Sequence, residues 1–228
     1  MIALIDMDIV AFSCAAYNND FGWEACKQDM DDMLARIMDT TGANEMKGFL
    51  SGPNNFRYDI NPAYKSNRAG KVDPVYREDA KAYLITDYGA VLTDGNEADD
   101  ALGLAQTSNT IVCSIDKDLF QIAGRHYNWR KDEFNTVEPV DGLRLFYRQC
   151  LTGDATDGIP GVGGIGKVKS ARIINDLEDE IDMFEAVQAI FNDDTRLLMH
   201  GRCLKIGQTP DNMWSFPIVP TERSEEGT

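Results

Sequence analysis

The 228-residue sequence predicts an α/β fold built on a parallel sheet and followed by a helical part. Three observations predict it. Short apolar runs alternate with longer stretches of amphipathic spacing as far as Ile115. The runs at Ile2 and Thr110 end in acids or lead directly to them. From about Asp141 onward the pattern reads as helix, with no further convincing strand. The length suits one domain, or one with a small appendage: an α/β core over 1–140, a helical part over 141–180, and a helical segment with tail over 181–228.

"IALIDMD" (2–8) reads as a buried strand ending in acids. Trp23 to Met38 carries the spacing of an amphipathic helix, stopped near Gly42. "MKGFLS" (46–51) is the second strand, followed by a polar loop through Asn67. Pro74 suits the first position of a helix that ends before Gly89. "AVL" (90–92) is a short strand, and Asn96 is placed to cap a helix from Glu97 to Thr107. "TIVCSI" (110–115) is another strand, leading to Asp116 and Asp118. The tail "TERSEEGT" (221–228) is expected to fray.

Composition narrows the chemistry. Hydrophobic residues make up 43% of the chain, enough for a normal core, and no apolar run reaches the length of a membrane span. Met1 leads into a short apolar stretch broken by Asp6 and Asp8, which is not a signal peptide. The five cysteines are scattered and form no Cys-x-x-Cys pair, so reduced thiols in a cytoplasm are expected and a zinc ribbon is not. Two histidines are too few for chemistry based on several imidazoles. Carboxylates dominate, at 38 against 22 basic residues.

In parallel α/β sheets, ligands gather beyond the carboxyl ends of the strands. Asp6, Asp116 and Asp118 fall at such ends. Glu97, Asp99 and Asp100 ("EADD") start a helix on the same edge. Asp154 and Asp157 in "GDATD" are one helical turn apart and would point the same way. Acids at a helix start also compensate its dipole, and any one of these pairs alone reads equally well as solvated surface. Taken together they would repel unless a cation intervened. Mg²⁺ and Mn²⁺ take carboxylate oxygens, and two such ions can hydrolyse a phosphodiester bond. "DLEDEID" (176–182) adds charge with no such reading and is expected to be a solvated face.

Positive charge concentrates in two places. Lys167, Lys169 and Arg172 follow "GIPGVGGIG", whose Gly161, Gly163, Gly164 and Gly166 can place backbone N–H groups around an anion at a helix start. No Gly-Lys-Ser/Thr follows and no strand precedes, so this is neither a Walker loop nor a dinucleotide fingerprint. Between two helical segments it reads as a helix-hairpin-helix gripping a nucleic-acid backbone. "YKSNRAGK" (64–71) sets Lys65, Arg68 and Lys71 beside Tyr64. It is either an exposed loop or a phosphate grip with an aromatic for base stacking. The three tryptophans are expected to pack, the two histidines to be surface or satisfied polar groups, and the cysteines to be small buried hydrophobes.

"LIDMD", "YKSNR", "EADD", "SIDKD" and "GDATDGIPGVGGIG", in that order, resemble the flap endonuclease and 5′–3′ exonuclease superfamily. The likeness runs from about Ile2 to Ile174 and is greatest to small phage exonucleases and the 5′-nuclease domain of bacterial DNA polymerase I. It implies a PIN-like α/β fold and hydrolysis of DNA near 5′ ends, flaps or nicks with two Mg²⁺ or Mn²⁺ ions. It also implies a monomer without membrane attachment, working in phage replication in the host cytoplasm if phage-encoded. By resemblance, Asp6, Glu97, Asp99, Asp100, Asp116, Asp118, Asp154 and Asp157 match the metal-site acids. Lys65, Arg68, Asp6 and Asp100 are the expected catalytic residues. Tyr64, Lys65, Arg68, the four hairpin glycines, Lys167 and Lys169 are the expected DNA contacts, with K⁺ at the hairpin.

One departure stands out. The superfamily usually has an aspartate thirteen residues before the tyrosine of the Tyr-Lys motif, and here that position is Ser51. Asp8 could compensate, since residues two apart on a strand share a face. Ser51 also raises the alternative of a catalytically impaired DNA-binding relative. A rival class exists too: "IDMDIV" fits the start of haloacid-dehalogenase-type phosphatases, with Asp6 as nucleophile. "GDATD" has the wrong spacing for that family, and the glycine run would have no role.

Overall fold

The computed structural model describes residues 1–218, so the tail over 221–228 lies outside the described residues. β1 (Ile2–Asp6) stops before Asp8 because the Asp6 carboxylate accepts the Ile9 amide at 3.2 Å and caps α1 (Met7–Tyr17). Nothing in the sequence pattern announced α1. Met7, Val10, Ala11, Cys14 and Ala15 are all buried, and few polar residues mark an outer face. α2 (Trp23–Thr41) runs to Gly42, whose φ of 63° provides the left-handed C-cap.

β2 (Glu45–Leu50) follows as expected, and the polar loop after it holds a short α3 (Arg57–Ile60). α4 (Arg77–Tyr88) begins beyond Pro74 and ends at Gly89. After β3 (Val91–Leu92) comes α5 (Ala98–Ala105), capped by Glu97 rather than Asn96 through a reciprocal box with Asp100. β4 (Thr110–Cys113) is followed by β5 (Gly124–Asn128) and β6 (Glu133–Val137), which the apolar pattern does not reveal. Every residue of β6 is at least partly exposed, so a polar edge strand carries no hydrophobic signature. α6 (Pro139–Thr152), the small hairpin β7 (Gly153–Asp154) and β8 (Ile159–Pro160), α7 (Lys167–Ile174), α8 (Glu180–Phe191) and α9 (Asp194–Leu204) complete the chain.

The main sheet has the order β3-β2-β1-β4-β5-β6, parallel except for β6. Consecutive connections step outward from β1 in one direction and then, through β4, in the other. This leaves a crevice beyond the carboxyl ends of β1 and β4, where ligands bind in such sheets. Alternate residues of β1 serve opposite faces. Ala3 and Ile5 join the core with α1, α2 and α4, whereas Leu4 packs with Phe49, Leu102 and Val112 under α5. A separate cluster around Phe146, Tyr147, Ile174 and Phe184 holds the four later helices together.

The tryptophans pack, as expected: Trp129 is buried in the sheet core, and Trp214 lies edge-on to Phe146. All five cysteines are free and buried. Among the described residues no helix is long and apolar enough to cross a membrane.

Candidate active site

A cleft of about 800 Å³ opens at this crevice and is lined by Glu97, Asp99, Asp116, Asp118, Asp154 and Asp157 together with Lys65 and Arg68. Gly166, Lys167 and Ser170 line the same cleft, so the glycine hairpin and the acids face one space. Asp6 sits beneath, 2% exposed, with its oxygens accepting the Ile9 amide and the Ser114 hydroxyl (2.8 Å). With one hydrogen bond on each oxygen and only 2% exposure, Asp6 keeps a lone pair for a cation but is poorly placed to attack a small substrate as the nucleophile that the phosphatase reading requires.

Local folding explains which side chains arrive. Asp116 Oδ1 accepts the Asp118 amide at 2.9 Å, turning the chain after β4 so that both carboxyls reach the cleft. Asp154 and Asp157 are not on a helix. Asp154 lies in β7, and its Oδ1 accepts the Thr156 amide at 2.7 Å, making a tight turn that brings Asp157 round. Asp157 then binds Arg68 at 2.7 Å and the Tyr64 hydroxyl at 2.9 Å. Lys65 pairs with Glu97 and stands 3.8 Å from Asp157. Its own backbone is held at φ 54°, a strained conformation for a side chain with Cβ, fixed by a hydrogen bond that its amide donates to the Asp157 carbonyl at 2.9 Å.

Three expected site residues depart from their assigned roles. Asp100 is fully buried and faces away from the cleft, because successive residues of a helix diverge by about 100°. It receives both ends of the Arg57 guanidinium at 2.6 and 2.9 Å, and its Oδ1 also accepts the Gly207 amide at 3.0 Å. That leaves it as an internal anchor rather than a ligand. Tyr64 is 2% exposed, with its ring against Tyr58 and its hydroxyl on Glu97 and Asp157, so no base can stack on it in this arrangement. Gly161 is a packing glycine. A Cβ there would stand 2.3 Å from the Thr152 carbonyl, whereas Gly163, Gly164 and Gly166 have open space around them.

Two participants escaped the sequence reading. Ser114 is a small residue between strand and acids and gives no signal of its own. Arg57 offers only a faint cue, an arginine beside an aromatic in a polar loop. Its Nε donates to the Cys203 carbonyl at 2.8 Å, tying α3 and α5 to the end of α9.

Electrostatics show strain among the acids. Burial, then repulsion from Asp8, pushes Asp6 up to about 7. Burial and repulsion from Asp6, Glu97 and Asp116 hold Asp99 well above the ordinary aspartate value. Burial and Asp116 take Asp118 up to about 6. Burial also works to raise Glu97, but Lys65 and Arg57 outweigh it and leave that group below its usual value. Among the described residues no three of these acids close into a ready-made metal cage. The donor set is nevertheless all carboxylate, desolvated and mutually repelling, which is the chemistry that a hard divalent cation relieves.

No protein-family model matches the chain. DNA polymerase I of Rhizobium leguminosarum is 28% identical over 156 residues, 59% of this chain and 15% of that protein. The 5′-3′ exonuclease of Buchnera aphidicola subsp. Schizaphis graminum is 29% identical over 162 residues, 63% of this chain and 54% of the relative. The chain thus spans about half, or far less, of the curated relatives it matches. The zinc-bound 5′-exonuclease of phage T5 superposes with a TM-score of 0.72 at 17% identity, covering 90% of this chain and 89% of that one. In sequence the chain resembles DNA polymerase I and 5′-3′ exonucleases, and in fold it is an α/β protein of the T5 5′-exonuclease kind.

Proposed function

We propose that this chain is a single metal-dependent 5′ nuclease unit that hydrolyses DNA phosphodiester bonds near 5′ ends, flaps or nicks. The observation that carries the reading is the single cleft lined by Glu97, Asp99, Asp116, Asp118, Asp154 and Asp157, with Lys65, Arg68 and the glycine hairpin at its margin. Asp6, Glu97, Asp99, Asp116, Asp118, Asp154 and Asp157 would hold Mg²⁺ or Mn²⁺. When bound, such ions supply an activated water and stabilise the charge on the attacked phosphate.

The chain's own residues do the rest. Lys65 and Arg68, now neutralised by Glu97 and Asp157, can exchange those partners for a phosphate. Tyr64 keeps Glu97 and Asp157 oriented through its hydroxyl. The open edge at Gly163, Gly164 and Gly166, with Lys167 and Lys169, would hold a duplex backbone as a helix-hairpin-helix, with K⁺ as the candidate ion there. The protein would act as a monomer.

Incubation of 5′-labelled flap, nicked and blunt duplexes with Mg²⁺ or Mn²⁺ tests this reading, and short labelled products are expected. Ser51 supports a second reading, a relative that binds DNA without cutting it. Retention of flap DNA with no product at millimolar Mn²⁺ would favour that one. Release of inorganic phosphate from a small monoester, with DNA untouched, would overturn both.

A further inference from the structure

We propose that Asp8 replaces the carboxylate that the resemblance puts at position 51, and that it acts as a metal ligand at the β1–β2 corner of the site. The inference rests on the nuclease reading above. Asp6 pairs with Phe49 in the parallel ladder, so carrying that register two residues past each strand sets Asp8 opposite Ser51. The contact is direct: Asp8 Oδ2 accepts the Ser51 amide at 2.9 Å, although Asp8 reaches it from the first turn of α1 and not from a strand face.

The other oxygen is the informative one. Asp8 Oδ1 is itself shielded from solvent and has no hydrogen-bond partner, although the side chain as a whole is 28% exposed; its charge is met only by a long ion pair with Lys81 Nζ at 3.8 Å. An anionic oxygen left so is costly unless something else satisfies it. Ser51 is not free to do the ligand's work. Its hydroxyl accepts the Ala98 amide at 3.0 Å, which fixes the start of α5 and hence Asp99. The corner therefore carries one carboxylate in addition to Asp6, the same number as with an aspartate at 51 and a neutral residue at 8. The acid has moved from one strand end to its neighbour.

Mn²⁺ binding by isothermal titration calorimetry, together with thermal melting in EDTA, tests this on wild type, Asp8→Asn, Asp99→Asn and the swap Asp8→Ser/Ser51→Asp. Asp8→Asn keeps an acceptor for the Ser51 amide, so it should melt in EDTA no lower than wild type. Its Mn²⁺ affinity should nevertheless fall about tenfold or more, as expected for loss of a charged ligand. The swap should recover most of that affinity. If Asp99→Asn weakens Mn²⁺ and Asp8→Asn does not, the inference is wrong while the nuclease site survives. If neither substitution matters, the site itself has been misread. A lower melting point in EDTA with unchanged affinity would make Asp8 a structural partner of Lys81 and overturn the proposal. Should Asp8→Asn not fold, the swap decides alone: wild-type affinity supports the ligand role, and absent binding refutes it.

Discussion

Replacing Asp100 by asparagine separates an anchor from a ligand. The substitution keeps the shape of the side chain and removes its charge. Arg57, with a side chain only 3% exposed, would lose a counter-ion at 2.6 Å and keep Glu97 at 3.9 Å. Breaking a buried ion pair from one side costs about 3–5 kcal/mol, and the nearby Glu97 argues for the lower half of that range. The carboxamide must also turn its NH₂ towards a donor, either the guanidinium or the Gly207 and Gln208 amides, which costs about 1–3 kcal/mol more. A total of about 4–7 kcal/mol is a large share of a typical domain's stability. With a urea m-value of about 3 kcal/mol/M, the unfolding midpoint should fall by about 1.3–2.3 M at unchanged m. Urea titration in EDTA, followed by tryptophan fluorescence, measures this without interference from metal. Arg57→Met/Asp100→Leu, which removes both charges, should cost less than the two single losses combined. An unchanged midpoint accompanied by weaker Mn²⁺ binding would return Asp100 to the metal site and refute the argument.

Tyr64→Phe keeps the packed ring but strips Glu97 and Asp157 of a shared donor; about 1.5–3 kcal/mol of stability should be lost, and an unchanged urea midpoint would mean those hydrogen bonds contribute nothing. Lys167→Ala should weaken duplex binding and reduce the slope of log K against log salt by about 0.9, whereas Asp154→Asn should abolish cleavage and spare binding; fluorescence anisotropy and gel assays would reveal an exchange of these roles. His200 is fully buried, with no well-formed hydrogen bond at either ring nitrogen, and burial, only partly offset by the Cys150 backbone, holds it down to about 4. A depressed histidine contributes stability that is complete above its unfolded value near 6.5 and is lost as pH falls towards 4, at up to about 1.4 kcal/mol per pH unit. His200→Phe should flatten that slope in urea titrations between pH 7 and 4.5, and an unchanged slope would clear His200 of responsibility.

Much of this was written in the order of residues. The apolar runs at Ile2, Met46 and Thr110 fall in parallel strands, and the acids that follow the first and third reach a common edge because that is where parallel strands terminate, whereas the second ends at Ser51. What the sequence concealed has physical causes. α1 is apolar almost all round, even on the side where Phe12 and Tyr17 are exposed, and so lacks a polar stripe, while β6 is exposed and lacks an apolar one. "EADD" looks like three equivalent acids until the helix rotates Asp100 inward to Arg57, a partner 43 residues away that no local spacing could disclose. Tyr64 beside Lys65 suggests a stacking platform, and only tertiary packing turns its ring inward. His126 meets expectation by bonding the Ile122 carbonyl at 2.7 Å, but His200 has no comparable partner.

The dispersed thiols have a practical use. Burial raises Cys14 and Cys113 to about 12 and Cys203 to about 11, so alkylating reagents meet almost no thiolate while the fold is closed. Cys14, Cys26 and Cys113 report on the packing around the sheet, and Cys150 and Cys203 report on the helical cluster. Pulsed modification followed by mass spectrometry would therefore time the breathing of each half from unaltered protein, with no probe introduced.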